Sequence, residues 1–211
     1  MALGFSTEAS EGGNFLPICK FDCRAGRMFR RDRELGENID VDITKSFKAV
    51  IDLENIEVGW IDFDTGGAPS FALGPIDNMP DKPSEKHKRG ARFVVKLAKE
   101  CGGDVREMAS TAKAFLRGLD ELHDAFMAGA KKNPDKLPVV VLVDTVAVTT
   151  GEGSRKSTNY SPKFEIQSWV SRPADLKPQQ RAAAPETARS SASSTGSTKV
   201  AAPVADDEDF G

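Results

Sequence analysis

The chain has 211 residues and a formal net charge of −3, so its overall charge does not indicate a nucleic-acid-binding protein. Its three cysteines, an odd number, argue against a disulfide-stapled scaffold, and the longest apolar run, LPVVVLV, is too short to span a bilayer. The first residues, MALGFSTEASEGG, lack the basic start and apolar run of a signal peptide. We therefore expect a cytoplasmic location and no membrane attachment.

Short apolar runs separated by turn residues predict a mainly β body over residues 1–175. Strands are expected in NFLPICKFD, AGRMFRRDR, FKAVIDL, IEVGWIDFD, FALGPI, LPVVVLVDTVAVTT and KFEIQSWVSRP, while RFVVKLA fits a strand or the start of a helix. One main helix is expected late in the order, because an apolar stripe repeats at steps of four and three through Met108, Ala112, Phe115, Leu119, Leu122 and Phe126. This pattern suits an OB-like small β-barrel or a compact α+β sheet.

The composition changes at Leu176. Residues 176–205 have no aromatic side chain and few large aliphatic ones, so they cannot bury enough apolar area to offset the entropy cost of ordering. We predict a disordered linker there. Residues 206–211 form an acidic tip, in which a hydrophobic ring and a glycine follow four acids: Asp206, Asp207, Glu208, Asp209, Phe210 and Gly211.

Positive and negative charges are separated along the sequence. Basic residues cluster in 20–33, 82–99 and around Arg155 and Lys156, whereas 34–81 holds eleven acids and two lysines. A folded surface could therefore carry a basic face that follows a phosphate backbone and a separate acidic face. The alternative is that these charge runs are solvated loops.

Aromatic side chains near the basic clusters are candidates for stacking on single-stranded bases. Tyr160, the only tyrosine, is predicted in a polar loop beside Arg155 and Lys156, and Phe29 lies between Arg27 and Arg30. A strand aromatic is more often part of the core than a platform for bases. Further candidates are Phe21, Trp60, Phe63, Phe71, Phe93 and Trp169.

Catalytic signals are weak. The chain lacks a G-x-S-x-G, Walker A or H-E-x-x-H motif, and we expect no catalytic residue, metal ion or cofactor. A two-metal nuclease site built from the pairs Asp40/Asp42 or Asp62/Asp64 is an alternative, since residues two apart share one face of a strand. A zinc site of three cysteines and His87 is a weaker one.

The order of body, linker and acidic tip resembles the single-stranded DNA-binding proteins of bacteria and bacteriophages. The resemblance rests on DDEDF at 206–210 and the linker before it, and NYSPKFEIQSWVSRP is similar to the last-strand region of phage members. In the bacterial proteins the tip usually ends on hydrophobic residues, whereas Gly211 follows Phe210 here.

The resemblance implies a non-catalytic protein of DNA replication or recombination in a bacterial host cell, with an OB-fold that binds single-stranded DNA. Its acidic tip would recruit a polymerase, helicase or nuclease, and a homodimer is left open. A phage structural or interaction protein is a further alternative. The expected DNA contacts are Arg24, Arg27, Phe29, Arg30, Arg31, Trp60, Lys86, Lys88, Arg89, Arg92, Arg155, Lys156, Tyr160 and Trp169.

Overall fold

A computed structural model describes residues 16–153 and 156–177, all within the first of two units, 1–179 and 180–211, into which the chain divides. The described residues form ten strands, one α-helix and a short 3₁₀-helix at Lys99–Cys101. The strands are β1 Ile18–Asp22, β2 Arg27–Glu34, β3 Glu37–Asp42, β4 Lys48–Ile51, β5 Glu57–Asp62, β6 Ser70–Pro75, β7 Lys88–Leu97, β8 Val105–Ser110, β9 Lys136–Thr150 and β10 Ser157–Ser171. The helix, α1, spans Lys113–Ala130.

The ten strands form one curled sheet. Its main path runs β10-β9-β4-β7-β8-β1-β2-β3, and β5 and β6 extend it beside the first half of β7. Neighbouring strands pair antiparallel except β1 and β8, which are parallel. The sheet curls far enough that the backbone N–H of Tyr160 in β10 donates to the carbonyl of Cys23 after β1, at 2.6 Å. The body is therefore barrel-like.

The prediction of a mainly β body with one late helix is confirmed. In the barrel, β4 and β5 each pair with β7, and β7 pairs with β8. The helix α1 then connects β8 to β9. β9 then returns to β4. A helix between the third and fourth strands, with the fourth beside the first, is the order of an OB-like barrel, and β1 to β3 are added at the edge of β8.

The main core lies inside the curl, where α1 packs against the sheet. Phe115 of α1 stacks on Phe93 of β7, with ring centroids 6.4 Å apart, and also contacts Phe21 and Phe164. The helix ends where the side-chain amide of Asn133 donates to the carbonyl of Gly129. A smaller cluster on the opposite face of the sheet consists of Val94, Leu137 and Leu176.

Three expectations need correction. The helix begins at Lys113 rather than near Met108, because Met108 pairs with Phe93 in β8 and is buried there. The segments ENIDVD and VREMAS, which lack a clear apolar alternation, form β3 and β8 because they pair with β2 and β7. Leu176, predicted to begin the linker, is fully buried against the body. The rest of the predicted linker, from residue 178, lies outside the described residues.

Candidate nucleic-acid interface

Alternate residues of the central strands point away from the core and form a continuous outer surface. Cys19, Phe21 and Met28 face the core, so their neighbours in β1 and β2 face outwards. In β7 the inner residues are Ala91, Phe93 and Val95, and the outer ones include Arg92. The outer sheet face, as defined here, comprises Ile18, Lys20, Arg27, Phe29, Arg31, Asp40, Asp42, Glu57, Phe71, Lys88, Arg92 and Glu107.

One end of the outer sheet face centres on Phe29. This ring lies opposite Lys20 in the β1–β2 register, and the Lys20 Nζ is 5.8 Å from its centroid. Arg31 is two residues further along β2 and binds Asp40 through two nitrogens, at 2.8 and 3.1 Å. Ile18, on the same face, is 44% exposed. An apolar platform is therefore flanked by two cations.

The other end centres on Phe71 and Arg92. The Arg92 Cζ is 5.2 Å from the Phe71 ring centroid, while its guanidinium binds Glu57 at 2.8 Å and lies 3.7 Å from Glu107. Arg92 is only 5% exposed. The prediction that it contacts phosphate directly is therefore wrong, because two carboxylates and a ring already surround it. It supports the position of Phe71 instead.

Phe29 and Phe71 belong to one surface rather than two. Glu107, which contacts Arg92, lies beside Ile18 in the parallel β8–β1 register, and Ile18 shares a face with Lys20. Five strand spacings separate β6 from β2, or roughly 24 Å measured along the sheet. Phe63, which follows β5, is 43% exposed and packs edge-on against Phe71. The aromatic platform therefore extends into the β5–β6 loop.

Basic and acidic segments pair with each other, which corrects the expectation of separate basic and acidic faces. The basic strand β2 lies beside the acidic strand β3, so Arg27 binds Asp42 at 2.8 Å and Arg31 binds Asp40. Hydrogen bonds from Arg31, and then from Lys20, lower the pKa of Asp40 to about 2. Cations on this face are therefore largely neutralised locally.

Two predicted DNA contacts lie on the opposite side of the sheet. Trp60 and Arg89 are cross-strand neighbours there, and the Trp60 Nε1 donates to the carbonyl of Pro80 while the Lys82 Nζ lies 5.5 Å from the ring. Arg89 borders a cleft of about 650 Å³ between α1 and β5–β7. The sheet separates this cleft from Phe29 and Arg31. The cleft is lined by residues that include Ile56, Val58, Ile76, Met79, Arg89, Lys113, Leu116 and Arg117.

Tyr160 and Trp169 pack within the body, so their predicted role as exposed base platforms is corrected. Tyr160 lies in β10, not in a loop, and its ring lies over Gly26, where an added Cβ would be 2.9 Å from the ring. Trp169 stacks on Phe126 of α1 with centroids 5.7 Å apart. Both rings attach β10 to its neighbours.

The remaining predicted contacts are scattered. Arg24 is exposed in the β1–β2 turn, where the Asp22 carboxylate accepts hydrogen bonds from the N–H groups of Arg24 and Ala25. Arg30, a predicted DNA contact, lies opposite buried Cys19 and faces the inner side, 3.0 Å from Asp32, rather than the outer sheet face. Lys86 is exposed before β7, and Lys88 is on the outer sheet face, 3.8 Å from Asp64. Lys156 is exposed, while Arg155 and the tip residues Asp206, Asp207, Glu208, Asp209 and Phe210 lie outside the described residues.

The carboxylates of the nuclease alternative do not form a metal cluster. Asp40 and Asp42 each bind an arginine, and Asp62 is buried, with one oxygen accepting the Asp64 N–H at 2.9 Å. Within 16–153 and 156–177, no group of three or more His, Cys, Asp or Glu side chains is arranged to hold a metal ion. Burial raises the pKa of the Cys19 thiol to about 12, as expected for an inert core cysteine.

Sequence reasoning missed Lys20 and Ile18 as members of the surface. The signal was present, since residues 18, 20 and 22 must share the face opposite to buried Cys19 and Phe21 once β1 is aligned. The sequence did not indicate the parallel neighbour β8, which places Glu107, a contact of Arg92, beside Ile18. That contact joins segments almost 90 residues apart.

Comparison of the chain with protein-family models, with curated proteins and with solved structures finds no match. Among the described residues, no helix is both long enough and apolar enough to cross a membrane.

Proposed function

We propose that this chain is a non-catalytic single-stranded DNA-binding protein of replication or recombination, and that DNA lies across the outer sheet face. The observation that carries the proposal is the pair of partly exposed rings, Phe29 and Phe71, each beside a cation on one continuous surface of an OB-like barrel. OB-folds bind oligonucleotides on the face of their second and third strands and on the adjoining loops. Here those strands are β7 and β8, which lie between Phe71 of β6 and Phe29 of β2 in the sheet.

The chemistry of this surface favours stacking over charge. A base placed on Phe29 or Phe71 contributes about 1–3 kcal/mol without sequence preference. Arg27 and Lys88 are 61% and 69% exposed, so they are the cations best placed to meet phosphates. Because most cations here already have carboxylate partners, each phosphate displaces a carboxylate rather than adding to an unpaired charge. Binding should therefore weaken with salt less steeply than in a purely basic groove.

The acidic tip is assigned a separate task in this proposal. Its four acids and Phe210 suit a basic, hydrophobic-lined pocket of a partner protein such as a polymerase, helicase or nuclease. The negative charge of the tip would also repel bound DNA, so the tip remains available for such partners.

The experiment is fluorescence anisotropy of labelled poly-dT, with a duplex of the same length, at two salt concentrations. We expect tighter binding to the single strand, weakened by added salt. The variants Phe29→Ala and Phe71→Ala should each raise the Kd by about fivefold or more, since each removes one stacking platform. Met127→Ala is the matched control, because Met127 is 53% exposed on α1, away from the outer sheet face.

The proposal fails if the chain prefers duplex, or if its affinity for poly-dT does not respond to salt. A double variant Phe29→Ala/Phe71→Ala that binds like Met127→Ala would instead contradict the outer sheet face as the site, while leaving DNA binding itself intact.

A further inference from the structure

The distal half of β9 has one paired edge and one open edge. Residues 144–150 pair with β10 along one side. On the other side β9 pairs with β4 only at Val139–Val141, and the last hydrogen bond runs from the Leu142 N–H to the Phe47 carbonyl. Beyond Leu142, no strand of 16–153 or 156–177 pairs with this edge.

The open edge offers regularly spaced hydrogen-bonding groups. The Leu142 N–H points to the β4 side, and Val143 is an extra residue, because Lys163 lies opposite Asp144 and Phe164 opposite Leu142. One inserted residue reverses which N–H groups of the strand point to each side. The N–H groups of Thr145, Ala147 and Thr149 therefore point to the open edge. The Thr145 N–H already donates to the Asp144 carboxylate at 2.7 Å, so a pairing strand must displace that side chain. These groups repeat every second residue, as a pairing strand requires.

The edge has little of the protection that exposed strands usually carry. Edge strands avoid pairing with other chains through lysines, prolines and inward-pointing charges. The segment VDTVAVTT has no lysine or proline and a single charge, Asp144. Val143 and Val146 are 48% and 49% exposed. Such a strand is suited to accept another strand.

The edge is also complementary to itself. In antiparallel pairing around a two-fold axis, side chains opposite each other must lie on the same face of the extended sheet. With the axis at Ala147, Val146 lies opposite the partner's Val148, and Asp144 opposite the partner's Thr150. The only charge of the edge therefore never meets its copy, and four valines form one apolar cluster.

We propose that residues 144–150 pair with the same residues of a second copy of this chain, around a two-fold axis at Ala147. The two β9–β10 ribbons then form one four-stranded sheet, β10–β9–β9–β10, in an isologous dimer. Seven residues span about 24 Å, a narrow contact, so a concentration-dependent equilibrium of monomer and dimer is expected. This inference does not depend on DNA binding.

The first test is sedimentation equilibrium of the full chain and three variants over a range of concentrations. V146E/V148E places glutamates opposite each other at two positions and should weaken the dimer by about tenfold or more. V146E/V148K places each glutamate opposite the partner's lysine and should restore a dimer. T158E is the control, because Thr158 is exposed on β10, away from the open edge of β9.

A wild-type chain that stays monomeric at all concentrations overturns the proposal, and would leave this edge to a strand of another protein. V146E/V148E dimers as tight as those of the wild type, or V146E/V148K dimers no tighter than those of V146E/V148E, overturn it as well. Thermal unfolding of each variant separates loss of pairing from loss of the fold.

The second test is mild oxidation of single-cysteine additions. Ala147→Cys should form a disulfide-linked dimer, since the two introduced thiols meet across the axis. Thr149→Cys lies opposite the partner's Thr145 and should cross-link far more slowly. The native thiols at Cys19, Cys23 and Cys101 are buried and should not interfere. Equal cross-linking of both variants, or none in Ala147→Cys, contradicts the register.

Discussion

At the scale of single residues, Arg106 is a buried charge that is held by several partners. It is 4% exposed, and its guanidinium binds Asp32 at 2.6 Å, Asp104 at 3.0 Å and the carbonyls of Ile18 and Arg31. These contacts attach β8 to β1 and β2. Removing this cation takes a donor from Asp104 and from two carbonyls, and leaves Arg30 as the partner of Asp32.

We expect Arg106→Met to lower the free energy of unfolding by about 3 kcal/mol, because Asp32 then keeps a charge in a half-buried place without its main partner. Urea denaturation measures the change. Arg117→Met is the matched control: Arg117 is exposed on α1 and, within the described part of the chain, bonds only Glu121, at 3.3 Å, so its loss should cost under about 1 kcal/mol. Equal costs for the two variants would show that Arg106 is not held as described.

The low pKa of Asp40 makes stability depend on acid. Its pKa is about 2 in the folded chain, against an ordinary value of 3.8. The unfolded chain therefore takes up the proton first as the pH falls, and stability present above about pH 4 is lost between pH 4 and pH 2. Asp40→Asn should lose less stability over this range than the wild type does.

The measurement for Asp40 is the urea midpoint at a series of pH values. A partial effect is expected, because hydrogen bonds from Thr44 also lower the pKa of Asp42, which the variant retains. Asp124→Asn, on an exposed position of α1, serves as the control and should follow the wild type. If Asp40→Asn and the wild type lose stability in parallel, the Arg31–Asp40 contact does not persist in solution.

At the scale of elements, α1 lies unusually close to β10. A Cβ added at Gly118 would be 2.3 Å from the carbonyl oxygen of Pro162, and one added at Gly129 would be 2.4 Å from the Trp169 ring. Pro162 is buried, and the hydroxyl of Ser161 donates to the Ala114 carbonyl at 2.8 Å. Glycine within a helix is costly, so its use here reflects the close approach of the strand.

Gly118→Ala should therefore destabilise the protein, although alanine favours an isolated helix by about 1 kcal/mol. The clash is with backbone, which cannot rotate away, and overpacking of this kind costs about 1–3 kcal/mol net. Thermal unfolding measures it. Gly67→Ala is the control, since an added Cβ there meets nothing within 4 Å. A higher midpoint in Gly118→Ala would contradict the packing of α1 on β10.

The elements show what a sequence pattern can and cannot predict. α1 and β9 were predictable because each carries a strong local signal, an apolar stripe in one and β-branched residues in the other. β3 was not predictable, because its residues are mostly exposed and it forms a strand by pairing with β2. Met108 fitted the helical stripe by spacing alone, but its place in β8 is set by Phe93.

At the scale of the whole molecule, the charge pattern was visible in the sequence but its arrangement in space was not. The clusters at 20–33 and 34–42 are separate along the chain, yet a hairpin places Arg31 beside Asp40 and Arg27 beside Asp42. Phe29 could be identified as a candidate because basic residues flank it in the sequence. Arg92 could not be excluded without knowing that Glu57 and Glu107 come from other strands. The sequence thus predicted the kinds of side chain at the site, but not which residues lie together there.

The parallel pairing of β1 with β8 also sets an order of events during synthesis. Ile18 leaves the ribosome 89 residues before its neighbour Glu107. At about 5–20 residues per second, the hairpin of β1, β2 and β3 waits roughly 4 to 18 s for the strand that completes its place in the sheet. During that interval Cys19, Phe21 and Met28 have no core to enter. The first described strands are therefore exposed long before the strand that covers them is made, which gives a chaperone several seconds to bind them.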